Sequence, residues 1–152
     1  MPPEYRARIE AGRPRLEAMA REQYGLEINS GPFGIDSRAA LVGEKYAEAH
    51  GLGTPYHDAV AEAYWQRAKS IDDRELLADL AASVGLDRAG FLAGLDDPAY
   101  DREVEEDVAF AHRNGMTGVP ALVFGEKYLV MGAQPYTMLK QILQQCEAEA
   151  AG

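Results

Sequence analysis

The sequence predicts an α/β chain in which a long helical segment is followed by one β-hairpin and one closing helix. Three observations lead there. Apolar residues recur every third or fourth position through most of the stretch from Tyr5 to Ala111. Two short apolar runs, Ala121–Phe124 and Lys127–Met131, are parted only by Gly125-Glu126, which reads as a hairpin. Helical spacing then returns with Met138, Leu139, Ile142, Leu143 and Cys146 on one face.

The elements follow in order. Residues 3–24 favour helix, with Tyr5, Ile9, Leu16 and Met19 as apolar positions. Gly12 and Pro14 interrupt them, so two short helices or one kinked helix are expected. Residues 25–36 hold three glycines and a proline and read as an irregular connector. Asp36 or Ser37 caps the next helix, about 38–50, which stops at His50-Gly51. A helix at 55–69 carries Tyr56, Val60 and Tyr64 at i, i+4 and i+8, with Trp65 beside them. Asp72 or Asp73 caps a helix with Leu76, Leu77, Leu80, Ala81 and Val84 on one face, ending at Gly85. A short helix or turn spans 87–95, and Pro98 opens a longer helix that runs to Asn114-Gly115.

Composition removes several function classes. The chain has 152 residues and a formal net charge of −10, against a phosphate-backbone binder, so no nucleic-acid partner is expected. No run approaches the roughly 18–20 apolar residues of a membrane span, and Met1–Arg6 lacks the apolar core of a signal peptide. A cytoplasmic protein with no membrane partner is expected. A single cysteine supplies neither an internal disulfide, nor a Cys-x-x-Cys, nor a multi-thiolate metal site. No metal and no cofactor are expected.

Two strands present a physical problem. An isolated hairpin is marginal in water, yet both strands are apolar. Either further strands come from outside this chain, or the helices cover the hairpin. The most informative stretch precedes it, Gly115-Met116-Thr117-Gly118-Val119-Pro120. A proline at this point sits in a turn at the strand edge. Local chemistry alone favours a trans bond, because only about 5–6% of X–Pro bonds are cis.

The segment Gly115–Leu143 resembles the C-terminal half of the DsbA-like branch of the thioredoxin superfamily, through Gly-x-Thr-Gly-Val-Pro at 115–120, the strand pair, Gly132-Ala133-Gln134 and the closing helix. The helices before it, with Ser37-Arg38-Ala39, Ala63-Tyr64, Asp72-Asp73 and Gly85-Leu86-Asp87, resemble that branch's inserted helical subdomain, and the cytoplasmic FrnE-like members most. The resemblance implies a partial thioredoxin fold (C-terminal β-hairpin plus helix) with a large inserted helical subdomain. Residues 1–114 would form the insertion and 115–152 the C-terminal half of the thioredoxin fold, in one compact unit. It also implies a cis Val119–Pro120 bond and a substrate-binding loop at Gly118, Val119 and Pro120, with Gln134 nearby. There the free N–H and C=O of Val119 would pair with an extended peptide or a small thiol.

The resemblance also exposes a departure. The family's Cys-x-x-Cys opens a helix in a strand-helix-strand unit upstream of the insertion, where the helix N-terminus activates the thiolate. These residues are not in this sequence, so no catalytic residue is assigned. Cys146 lies on an apolar stripe near a helix C-terminus and reads as a buried, inert small hydrophobe. His50, His57 and His112 read as surface histidines, with His50 and His57 near one another across a helix break. Asp96-Asp97 read as caps, Ser37-Arg38 as a helix start, and Glu103, Glu105, Glu106 and Asp107 as a solvated face. Tyr56, Tyr64 and Trp65 read as core.

Three functions compete. The first is a DsbA-like thiol–disulfide oxidoreductase whose dithiol is outside this chain. The second is a non-catalytic peptide-binding or dimerisation module, as a homodimer or with a partner chain that completes the sheet. The third is a glutathione-linked isomerase or transferase. Relatives of that kind tend to carry Gly-x-Asp-Arg before the last helix, where this chain has Gly132-Ala133-Gln134-Pro135.

Overall fold

Local signals in the chain account for most element ends in a computed structural model that describes residues 3–150. The elements are α1 (Pro3–Tyr24), α2 (Arg38–Ala49), α3 (Gly53–Trp65), α4 (Arg74–Ser83), α5 (Arg88–Gly94), α6 (Pro98–Arg113), β1 (Ala121–Phe124), β2 (Tyr128–Met131) and α7 (Tyr136–Ala150). Contacts group the chain into two units, Met1–Val104 and Glu105–Gly152. The dividing point lies inside α6, upstream of the expected 114/115 boundary. No helix among the described residues is long and apolar enough to cross a membrane.

The caps explain the helix starts. Asp73 accepts from the backbone N–H groups of Glu75 (3.0 Å) and Leu76 (3.4 Å), two of the donors that a helix start leaves without partners. Asp72 does not cap; it accepts from the Ser70 hydroxyl instead. Asp87 accepts from Gly90 N–H at 2.6 Å. Asp36, not Ser37, holds the start of α2 by accepting from Arg38 N–H. Of the pair Asp96-Asp97, only Asp97 serves the backbone, accepting from Ala99 N–H. Asp96 is held by Arg74 at 2.7 Å, which keeps its carboxyl below the usual carboxylate range. Helix ends fall at left-handed glycines, Gly51, Gly85 and Gly115 among them. Asp73→Ala is expected to lower stability by about 1 kcal/mol, and Asp72→Ala by less. Urea unfolding followed by circular dichroism checks the pair.

One expected element is narrowed and one changes. Of the two forms expected for residues 3–24 the single helix is found: α1 runs through Pro14, because one proline removes a single N–H from a stretch otherwise rich in strong helix formers. The side chain of Tyr5 lies outside the described part. The helix expected to reach residue 69 stops at Trp65. Ala68 turns at φ +54° and Lys69 N–H donates back to Ala63. The connector before α2 docks on that end, with Asn29 N–H on Trp65 O and Gly31 N–H on Tyr64 O.

The core of the first unit lies among α2 to α5. Tyr46, Ala47, Tyr56, Leu77, Ala78, Ala81 and Phe91 are buried together. The Phe91 ring meets Tyr46 edge-on with centroids 5.6 Å apart and Tyr56 at 5.3 Å, favoured aromatic geometries. Tyr56 is core as expected, but Trp65 is 47% exposed and Tyr64 only half-buried. At about 100° per residue Tyr64 lies about 80° round α3 from Tyr56, and Trp65 about 180° round, so the face that buries Tyr56 turns Trp65 outward.

In the second unit β1 and β2 pair antiparallel, with Ala121 opposite Met131, Leu122 opposite Val130, Val123 opposite Leu129 and Phe124 opposite Tyr128. The connection turns at Gly125 (φ +56°) and Glu126 (φ +57°), closed by Lys127 N–H donating to Phe124 O. This conformation matches the twist of a hairpin. Among the described residues the sheet has two strands, and Leu122, Val123 and Leu129 remain exposed. Val130 is buried, so the hairpin is covered in part and not completely. The stripe on α7 is also not the buried face that its spacing suggests: no residue of α7 is buried, and Met138 and Leu143 are exposed.

Candidate functional site

The loop that leads into β1 is anchored at both ends and free in the middle. At its start, Gly115 turns at φ +74°, Gly115 N–H donates to His112 O, and Met116 N–H donates to Ala111 O at 2.9 Å. At its end, Gly132 N–H donates to Pro120 O at 2.8 Å, so the strand pairing holds Pro120. Thr117, Gly118, Val119 and Pro120 between these anchors are exposed, Val119 at 93%. The Val119–Pro120 peptide bond is cis.

The strand register brings the sequence-predicted site residues to one end of the hairpin. Ala121 faces Met131, which places Gly118, Val119 and Pro120 beside the turn at Gly132 (φ +76°) and Gln134. The amide nitrogen of Gln134 donates to Met131 O at 2.8 Å. It braces the turn that receives Pro120, and its donor is engaged within that turn.

Cys146 sits at the other end. A Cβ added at Gly125 would lie 3.3 Å from Cys146 Sγ, so the thiol packs against the hairpin turn, half-buried and in no disulfide. The four residues of β1 part this turn from Pro120, a span of about 16 Å from Pro120 to Gly125. The thiol is thus not at the exposed loop. It is also less buried than a stripe position suggests, because α7 is covered on so little of its surface.

A polar cluster closes that end. Tyr128 Oη donates to Glu149 at 2.7 Å, Gln145 donates to Tyr128 Oη at 2.9 Å, and Lys127 pairs with Glu149 at 3.2 Å. The Tyr128 bond, then those of Gln145 and Lys127, hold the Glu149 carboxyl below its ordinary range, and the same carboxylate raises the Tyr128 phenol. The cluster staples α7 to β2. Elsewhere, His57 Nδ1 lies 3.1 Å from Glu44, and His50 stacks on Tyr46 at 4.1 Å. The two histidines thus engage different partners. Among the described residues no group of three His, Cys, Asp or Glu side chains is placed to hold a metal ion.

The arrangement offers a strand edge and an exposed backbone turn. Chemically, such an arrangement can pair with and orient an extended chain; among the described residues no cysteine lies at the loop. Sequence reading missed the role of Gln134 as a brace, and the only signal for it was its place directly after a Gly turn.

Comparison with known proteins bears on this geometry. Residues 3–144 match the model of the DSBA-like thioredoxin domain family. The chain is 29% identical over 117 residues to the uncharacterised protein YwbO of Bacillus subtilis, covering 73% of this chain and 56% of that protein. It is 32% identical over 81 residues to the thiol:disulfide interchange protein DsbA of Pseudomonas aeruginosa, covering 53% of this chain and 38% of that one. The matched region thus spans about half, or less, of these relatives. A probable DsbA oxidoreductase from Streptomyces coelicolor superposes with a TM-score of 0.80 at 31% identity, covering 94% of this chain and 62% of that one. A 2-hydroxychromene-2-carboxylate isomerase superposes equally well, TM-score 0.80, at 22% identity, covering 97% and 71%; this likeness shows the fold alone.

Proposed function

Because the chain belongs to the DSBA-like thioredoxin domain family, we propose that it forms the helical and substrate-docking part of a thiol–disulfide oxidoreductase whose dithiol is contributed by residues outside these 152. One observation carries the reading. β1 has an edge with no strand partner among the described residues and runs directly out of the exposed Val119–Pro120 turn. Leu122 and Val123, exposed on that strand, are the kind of surface a further strand covers.

In this reading the open sheet receives the strand-helix-strand unit that bears the Cys-x-x-Cys. The loop at Gly118, Val119 and Pro120 pairs its backbone with an extended peptide or holds a small thiol beside that dithiol. In the oxidising direction two substrate thiols give up two protons and two electrons. The protein disulfide accepts them and becomes a dithiol, through a mixed disulfide. The cytoplasm is the proposed compartment, in keeping with a chain that has one cysteine and no internal disulfide.

The 152-residue chain alone is expected to show no insulin-reducing or dithiol-oxidising turnover. Addition of an extended cysteine-containing peptide is expected to move the amide resonances of Gly118–Leu122 and leave those of α4 in place. Turnover that disappears in Cys146→Ser, or peptide shifts that avoid the loop, would overturn the proposal.

The open edge also favours a second reading, a non-catalytic module that pairs with another copy or a partner chain. Light scattering across a micromolar concentration series separates the two, since a strict monomer removes the self-pairing form. The glutathione-linked reading ranks third. No Asp-Arg follows Gly132, and the Gln134 amide donor is turned onto Met131.

A further inference from the structure

Three helices, α2, α4 and α6, end in the same way, and one of these ends carries a reactive pair. In each, a glycine at positive φ follows the last turn: Gly51, Gly85 and Gly115. Its N–H donates three residues back, to Glu48 O, Ala82 O and His112 O. The next N–H donates five residues back, to Ala47 O, Ala81 O and Ala111 O. Together these bonds satisfy carbonyls that a helix end leaves open. The residue before the glycine is His50, Val84 or Asn114. Of these, only Asn114 has a side-chain amide that can react with the chain's own backbone.

The reaction is intramolecular. The Gly115 nitrogen gives its proton to solvent and bonds to Asn114 Cγ. The Cγ–Nδ2 bond breaks, the amide nitrogen takes up a proton and leaves as ammonia, and a cyclic imide remains. Water then opens the imide at either carbonyl. One opening gives aspartate. The other gives isoaspartate, whose backbone runs through the side chain and is longer by one carbon. Glycine has no Cβ to hinder the attack. Asn29, the chain's other asparagine, precedes Ser30, whose side chain does hinder it.

The fold holds both reacting groups. The attacking Gly115 nitrogen is the one whose N–H lies on His112 O at 3.1 Å. The leaving amide nitrogen donates to Phe110 O at 2.8 Å. A carbonyl only accepts, so Oδ1 cannot take that nitrogen's place and keep the bond. Asn114 itself is exposed to water. We propose that Asn114–Gly115 is a deamidation site held closed by the cap of α6, and that its isoaspartyl product cannot rebuild that cap. The extra backbone carbon falls between Ala111 O and Met116 N–H, so the spacing that sets their 2.9 Å bond is lost. The loop Thr117–Pro120 then keeps its anchor on Gly132 and loses its anchor on α6. This holds whatever chemistry the loop serves.

The test follows the intact 152-residue chain in warm, mildly alkaline buffer. Trypsin releases Asn114 at the head of a peptide that ends at Lys127. Mass spectrometry reads the amide-to-acid change in it, and an isoaspartyl-specific methyltransferase counts the isoaspartate. Two hydrogen bonds must open first, so deamidation is expected to run about tenfold slower, or more, in the folded chain than in the urea-unfolded chain. Below the unfolding transition, added urea is expected to raise the deamidation rate and the hydrogen exchange of Gly115 N–H in step. The purified isoaspartyl form is expected to lose exchange protection at Met116 N–H. The Asn114→Asp variant, with its backbone unlengthened, is expected to keep it. Equal rates in the folded and unfolded chain overturn the proposal, as does no deamidation at Asn114 in either. A rate that ignores Gly115 exchange, or an isoaspartyl form that still protects Met116, overturns it too.

Discussion

Phe91→Ala is expected to lower the stability of the helical unit by about 3–5 kcal/mol. Phe91 has no exposed surface, and its ring is the meeting point of three helices. It touches Tyr46 from α2 and Tyr56 from α3, and it belongs to α5. α5 has only seven residues, far below the length at which a helix persists by itself. The Phe91 ring is the one fully buried side chain among its attachments, which also include Leu92, the Asp87 cap and the exposed Arg88 pairs to Glu75 and Asp79. Truncation therefore removes the transfer energy of a phenyl ring and leaves a cavity that the surrounding aromatics cannot close without moving. Against a typical total of about 5–15 kcal/mol, such a loss is a large share. Urea unfolding read by far-ultraviolet circular dichroism checks it. A drop below about 1 kcal/mol would mean that the ring is not the anchor described.

Gly43→Ala is the second, and its interest lies in the sign. In the middle of a helix alanine ordinarily beats glycine by about 1 kcal/mol. At Gly43 the added methyl would lie 2.6 Å from both Phe91 Cζ and Tyr56 Oη. Neither group is the loose end of a flexible chain, since both rings are fully buried. Overpacking of this kind costs about 1–3 kcal/mol, or more where the neighbours cannot shift. The steric term wins, and a net loss of about 1–2 kcal/mol is expected. Gly12→Ala is the control. Its added methyl would meet nothing within 4 Å, so the propensity gain stands alone and the variant is expected to be as stable as the parent or more so. Thermal melts of both variants, compared at equal concentration, read the difference. The same sign for both would refute the packing at Gly43.

The Tyr56 hydroxyl adds to this picture. It is buried with no hydrogen-bond partner among the described residues, and burial, with the nearby Glu44 carboxylate, raises its pKa. The phenol therefore stays neutral, and the core among α2, α3 and α5 is one of packing rather than of charge.

The family likeness was legible because it rests on short-range chemistry. Gly115–Pro120, the hairpin turn and Gly132–Gln134 are local arrangements, set by glycines that take positive φ readily and by a proline of fixed φ. Only the tertiary structure placed Cys146 at the turn end of the hairpin and Gly118–Pro120 at the other. That separation comes from the strand register, and no spacing in the sequence states it.

The contrast is sharpest where neighbours in sequence part company in space. The sequence by itself placed a helix start at Asp72 or Asp73, the stops at Gly51, Gly85 and Gly115, and the two strands, because each depends on the nearest few residues. The tertiary structure alone decided that the Tyr56 face of α3 is the covered one, that the stripe on α7 stays uncovered, and that the Gln134 amide turns back onto Met131. A period of 3.6 says which side chains share a face. Whether that face leaves water depends on what surface is brought against it, and that surface comes from residues far along the chain.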